Sequence, residues 1–128
     1  MRTLEGLNQI SSTVIGKAIE VHKALGCGLL QSAYRDCLCY ELKNEGLEVS
    51  KERPVGIAYK DLKIETAYRL DLLIENAVVV ELKSVEKISD LHRAQVLTYL
   101  KHGNYRLGFL INFNSTLLKH GITRILNG

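Results

Sequence analysis

The chain has 128 residues, 46% hydrophobic and 24% charged, with a single proline, a balance that suits one α/β-sized domain over residues 1–128 and excludes disordered or low-complexity chains. A net charge of +3 and a pI near 8.8 admit a polyanionic partner but fall short of a DNA-coating protein. No apolar run approaches bilayer length, and the opening MRTLEGLNQI lacks the apolar core of a signal peptide, so a cytoplasmic location without a membrane partner is expected.

Leu7, Ile10, Val14, Ala18 and Leu25 recur at helical spacing and predict a first helix over about 7–25, stopped by Gly26 and Gly28. Leu30, Tyr34, Leu38 and Leu42 stack on a second helix over about 30–44 that Gly46 ends, so the chain opens as a helical hairpin. Cys27, Cys37 and Cys39 lack zinc spacing and read as reduced structural thiols. Next comes a stretch rich in β-branched and aromatic residues, with breaks at 51–54 (KERP), 59–61 (YKD) and 74–76 (IEN), which predicts a three-stranded meander. A helix over about 90–102 follows, capped by Ser89 or Asp90 and stopped by Gly103. YRLGFLINF then reads as a buried strand, and the tail LLKHGITRILNG can add a short one. The expected fold is a mixed α/β sheet flanked by helices.

Alternation along AVVVELKS puts Val79, Glu81 and Lys83 on one face. If Glu75, Asn76 and Ala77 make a three-residue hairpin loop, Ile74 pairs with Val78 and Asp71 falls opposite Glu81. Like charges about 5 Å apart repel by about 3 kcal/mol at an effective dielectric of about 20, and a divalent cation removes that penalty. Mg²⁺ or Mn²⁺ takes one or two carboxylates plus waters, so Asp71 and Glu81 are candidate ligands, with Lys83 placed to act on a bound water or on phosphate charge. The competing reading is a solvated Glu–Lys ladder, and a two-residue loop would send Asp71 to the other face. His92, Gln95 and Tyr99 share a helix face that can hydrogen-bond phosphate or sugar, against a core Tyr99 and a Gln95 capping a strand edge. Arg69 lies on the face of Asp71 by alternation and is a further candidate for phosphate contact, against an ordinary exposed arginine.

Asp71 followed by Glu81-Leu82-Lys83 resembles the PD-(D/E)xK nuclease pattern, and Gln95-Val96-Leu97-Thr98-Tyr99 resembles the QxxxY element of its exonuclease-like members. More narrowly, IGKAIEVHKALGCGLLQSAY, YRLDLLIENAVVVELKSVEK, HRAQVLTYLK and LGFLINFN resemble the GxxExxY protein family along nearly the whole chain. The resemblance implies a PD-(D/E)xK nuclease-like fold and a Mg²⁺ (or Mn²⁺) site held by Asp71, Glu81 and the Leu82 carbonyl, with Lys83 as the catalytic cation. It also implies support from Gln31, Gln95 and Tyr99, and nucleic acid, DNA first, as the partner. The family's G-x-x-E-x-x-Y reads Gly28-Leu29-Leu30-Gln31-Ser32-Ala33-Tyr34, so an uncharged amide stands where related nucleases often carry a supporting carboxylate. Gly28 as a turn glycine and Tyr34 as a core aromatic are expected whatever the function, and Glu20 is a candidate substitute carboxylate. Three functions stay open: a metal-dependent nuclease, a non-catalytic nucleic-acid-binding or accessory module that keeps the fold, and a metabolic or scaffold protein. With no Trp and only two Phe, an extended base-stacking platform is not expected, while a homodimer would suit cleavage of two strands.

Overall fold

Residues 2–128 are described by the structure, a computed structural model. Helix α1 (Leu4–Leu25) begins ahead of its apolar repeat because the Thr3 side chain accepts from the Gly6 amide and caps the first turn. It buries Leu7, Ile10, Val14, Ala18 and Val21 as one stripe and ends at Gly26, whose φ of 76° suits only a residue without Cβ. Helix α2 (Gln31–Asn44) buries Tyr34, Leu38, Cys39 and Leu42. Leu30, counted with that stripe from the sequence, instead precedes the first turn with non-helical dihedrals and is 77% exposed.

Strands β1 (Val49–Tyr59), β2 (Leu62–Ile74) and β3 (Val78–Lys83) follow, then helix α3 (Asp90–Gly103), β4 (Leu107–Asn112), a short 3-10 turn and β5 (Ile122–Leu126). The five strands lie in the sheet in chain order, antiparallel throughout except for β3 beside β4, whose parallel pairing α3 bridges. The break expected at 51–54 is a correction: β1 runs through it. Pro54 pairs with Arg69 on what is an edge strand, where a missing N–H costs no ladder bond, and a positive φ of 51° at Glu52 absorbs the irregularity. A bulge lies between Val55 and Ile57, and the hairpin beyond it is largely exposed.

The sheet forms the middle of three layers. On one side α1 and α2 pack on Leu72, Ile74, Val78, Val80, Leu82, Phe109 and Ile111. On the other, Val96 and Leu100 of α3 pack on Leu70, Leu73, Val79 and Leu110. β3 and β4 are therefore apolar on both faces, the composition expected of a parallel pair covered twice. The domain is a single mixed α/β unit. Among the described residues no helix is long and apolar enough to cross a membrane, and all three cysteines are free thiols.

Helix α3 comes close to β4 at Gly108, where an added Cβ would stand 3.1 Å from Leu100 Cδ2 and 3.3 Å from Val96 Cγ1. Gly108→Val should overpack this contact and lower stability by about 1–3 kcal/mol. Urea unfolding should show a lower midpoint at unchanged slope, and an unchanged midpoint would refute the close packing.

Candidate functional site

The turn joining β2 to β3 has Glu75 and Asn76 at φ of 53° and 51°, and the Ala77 amide donates to the Ile74 carbonyl at 3.0 Å. Ile74 accordingly pairs with Val78, the register counted from the sequence, and its continuation sets Asp71 opposite Glu81. The main-chain ladder stops one rung earlier, at Leu72 and Val80. At the next rung the carboxylates replace the missing carbonyls. The Asp71 amide donates to Glu81 Oε1 at 2.9 Å, and the Leu82 amide donates to Asp71 Oδ2 at 2.9 Å. β2 also changes face here, because Leu70 packs under α3 while Leu72 packs under α1 and α2. The side chain between them is thereby directed into the seam between the two strands.

The corner between α1 and α2 brings a third group to this seam. Tyr34, fully buried and stacked on Phe113 at 4.4 Å, donates its hydroxyl to the Gly26 carbonyl at 2.6 Å and accepts from the Leu29 amide at 3.1 Å. Ser84, just past β3, donates to the Leu29 carbonyl at 2.9 Å. With the corner held at both ends, Gln31 opens α2 and its Nε2 donates to Asp71 Oδ2 at 3.0 Å. Glu20 is no substitute at this position, since it is bonded at 3.0 Å to Lys17, which also pairs with Glu45 at the far end of α2.

Glu81 is only 6% exposed, and burial first, then the charge of Asp71, holds its carboxyl well above the usual carboxylate range, with Lys83 acting in the opposite sense. Lys83 itself is half-buried. From α3, Tyr99 lies within electrostatic reach of both carboxylates; burial, then Glu81 and Asp71, raise its phenol, and the Gln95 side chain acts in the opposite sense. Tyr68 stacks on Tyr99 at 4.1 Å, donates to the Tyr99 carbonyl at 2.8 Å, and is pushed up to about 12 chiefly by burial.

One sequence candidate is engaged elsewhere. His92 forms half of a capping box, its Nδ1 accepting from the Ser89 amide while Ser89 Oγ accepts from the His92 amide, so the ring serves the start of α3. Arg69 is exposed, and β2 changes face between Leu70 and Leu72. Sequence reasoning missed Arg35, which donates Nη1 to Glu52 Oε1 at 2.9 Å and feels the charge of Asp71. The available clue was its four-residue spacing from Gln31 on α2.

Two carboxylates, one of them buried, make a donor set that fits a hard divalent cation. Among the described residues no three His, Cys, Asp or Glu side chains gather where they could hold a metal ion, so the remaining positions would fall to waters and to a main-chain oxygen such as that of Leu82.

The raised Glu81 carboxyl gives a testable pH signature. A group that binds its proton more tightly in the fold than in the unfolded chain stabilises the fold fully below its ordinary pKa, and that contribution is lost as pH rises through the folded value. In metal-free buffer Glu81→Gln should therefore be more stable than wild type at about pH 8, with the gap closing as pH falls towards about 4.5. Thermal melts across pH provide the check, and a gap independent of pH would contradict the burial argument.

A family model described as the PD-(D/E)XK nuclease superfamily matches residues 8–125. Comparison with curated proteins and with solved structures gives no match. The matched stretch runs from α1 into β5 and contains the seam with Asp71 and Glu81, the α2 corner and α3. The chain belongs to the PD-(D/E)XK nuclease superfamily.

Proposed function

We propose that the protein is a divalent-metal-dependent nuclease that hydrolyses phosphodiester bonds in nucleic acid, with DNA as the first substrate to test. The observation that carries this reading is the seam itself, where Asp71 and Glu81 meet at a rung without carbonyl partners and the buried Glu81 carries an unfavourable charge. Asp71, Glu81 and the Leu82 carbonyl would hold Mg²⁺ or Mn²⁺. When bound, the metal supplies Lewis acidity towards a phosphate oxygen and lowers the pKa of a water.

The chain's own groups do the rest. The amides of Asp71 and Leu82 fix the carboxylates so that little reorganisation accompanies binding. Lys83, half-buried on the carboxylate side of β3, is assigned to steady charge building on the phosphate or to take the proton of the attacking water. Gln95 and Tyr99 offer an amide and a phenol to phosphate or sugar, and Gln31 orients Asp71. The segment Gly28 to Tyr34 supports the narrower assignment to the GxxExxY group, with a cytoplasmic setting and a dimer for double-strand cleavage as parts of the same reading.

A second reading is favoured by one contact. Gln31 presents an N–H donor to Asp71 where related nucleases carry a carboxylate, which suits a module that keeps the fold and binds nucleic acid without cutting it.

Calorimetric titration with Mg²⁺ or Mn²⁺, alongside cleavage of labelled DNA and RNA, separates the two. Asp71→Asn should abolish both metal heat and cleavage. Gln31→Glu should tighten metal binding by about tenfold and raise the cleavage rate, since one more anionic oxygen faces the cation. A wild type with neither metal heat nor cleavage would sink the nuclease assignment, metal heat and cleavage that survive Asp71→Asn would remove Asp71 from the site, and a folded Gln31→Glu protein unchanged in both would remove Gln31 from it.

A further inference from the structure

Arg35 lies one turn beyond Gln31 on α2, so both residues share the helix face that meets the carboxylate seam. Its guanidinium is held by two carboxylates, with Nη1 donating to Glu52 Oε1 at 2.9 Å and Nε donating to Asp36 Oδ1 at 3.1 Å, and its side chain is 19% exposed. Burial works against the charge, and Asp36, Glu52 and Asp71 outweigh it. Asp71 therefore acts on Arg35 through space, without a hydrogen bond of its own.

Glu52 is the unusual member of this set. Its φ of 51° is a left-handed backbone that non-glycine residues seldom adopt, and it falls at the one gap in the first run of β1–β2 pairing, between Lys51 opposite Leu72 and Arg53 opposite Leu70. The same register sets it across from Asp71. Its side chain is 59% exposed, so the bond it gives Arg35 is open to water and readily exchanged. An exposed carboxylate on a strained backbone thus clasps a partly buried arginine that also feels the charge of Asp71. The guanidinium fork matches phosphate with two parallel N–H donors, and Glu52 engages only Nη1.

We propose that Arg35 is a phosphate-contacting residue of this site, clasped by Glu52 in the free protein and passed to a backbone phosphate when nucleic acid enters. The proposal rests on the nucleic-acid reading given above and adds to it a competitor: Glu52 occupies the guanidinium and so limits affinity. Arg35 is partly buried on the helix face that carries Gln31, whereas Arg69 is exposed and the His92 ring is engaged at the start of α3.

The test is fluorescence anisotropy with labelled single- and double-stranded DNA oligonucleotides, in EDTA and in Ca²⁺, over a series of NaCl concentrations. Arg35→Gln should weaken binding and reduce the slope of log K against log salt by about 0.7–0.9, the share of one phosphate contact. Arg35→Lys should keep the slope while losing affinity, because the charge remains and the fork is gone. Glu52→Gln should tighten binding several-fold, a gain that a purely structural ion pair would not give, and Arg35→Gln combined with Glu52→Gln should show no such gain. Unchanged affinity and slope in folded Arg35→Gln overturns the proposal. So does a Glu52→Gln protein that binds no more tightly, which decides the matter even if Arg35→Gln fails to fold. A wild type that binds neither oligonucleotide in either buffer overturns it together with DNA as the substrate. A wild type that cleaves DNA while Arg35→Gln binds normally overturns the role of Arg35 alone.

Discussion

Two main-chain amides, those of Asp71 and Leu82, lie past the last carbonyl-paired rung between β2 and β3, and each must find an acceptor in a nearly water-free layer. The strands part there because their partners differ. β3 stays in register with β4 as far as Lys83 opposite Asn112, whereas its pairing with β2 ends at Val80. The opening is a defect in the middle of a sheet, and the carboxylates of Asp71 and Glu81 fill it as surrogate carbonyls. Two anions in one seam need bracing from both layers. Gln31 supplies a donor from the α2 side, and on the α3 side Tyr99, stacked on Tyr68, lies within electrostatic reach of the pair.

The helical and strand periodicities that bury Val14, Leu38, Val79 and Val80 are local, which is why the layer structure could be read from residue spacing. The register of Asp71 against Glu81 was legible for the same reason, since it depends on a turn three residues long. Reading stopped where the backbone departs from its regular period. Lys51 to Pro54 resembled a turn because proline seldom lies inside a sheet, yet at an edge strand it costs nothing. Alternation tied Arg69 to Asp71, yet β2 breaks that period between Leu70 and Leu72. The engagement of His92 in a cap and of Arg35 with Glu52 depends on rotamers and on contacts across layers, which no spacing rule reports.

The segment from Gly28 to Tyr34 divides its labour. Tyr34 is a structural fastener, tying the main chain of Gly26 and Leu29 to the core through one hydroxyl. Gly28 has a φ of 95° and lets the corner turn. Gln31 reaches the seam through Asp71, while the two flanking residues keep the corner in place.

Strand order equal to chain order has a consequence for how this site can diversify. The bond between Asp71 and Glu81 closes a segment only 10 residues long, whereas the bond from Gln31 to Asp71 spans 40. Loop-closure entropy grows by about 0.6 kcal/mol per doubling, so the second contact carries about 1.2 kcal/mol more of it than the first. The carboxylate pair is thus set up within one short hairpin, and the helical corner braces it from a distant stretch of chain. Exchange at position 31 acts on an assembled pair from a separate element, and the hairpin and the corner can change as two modules of one site.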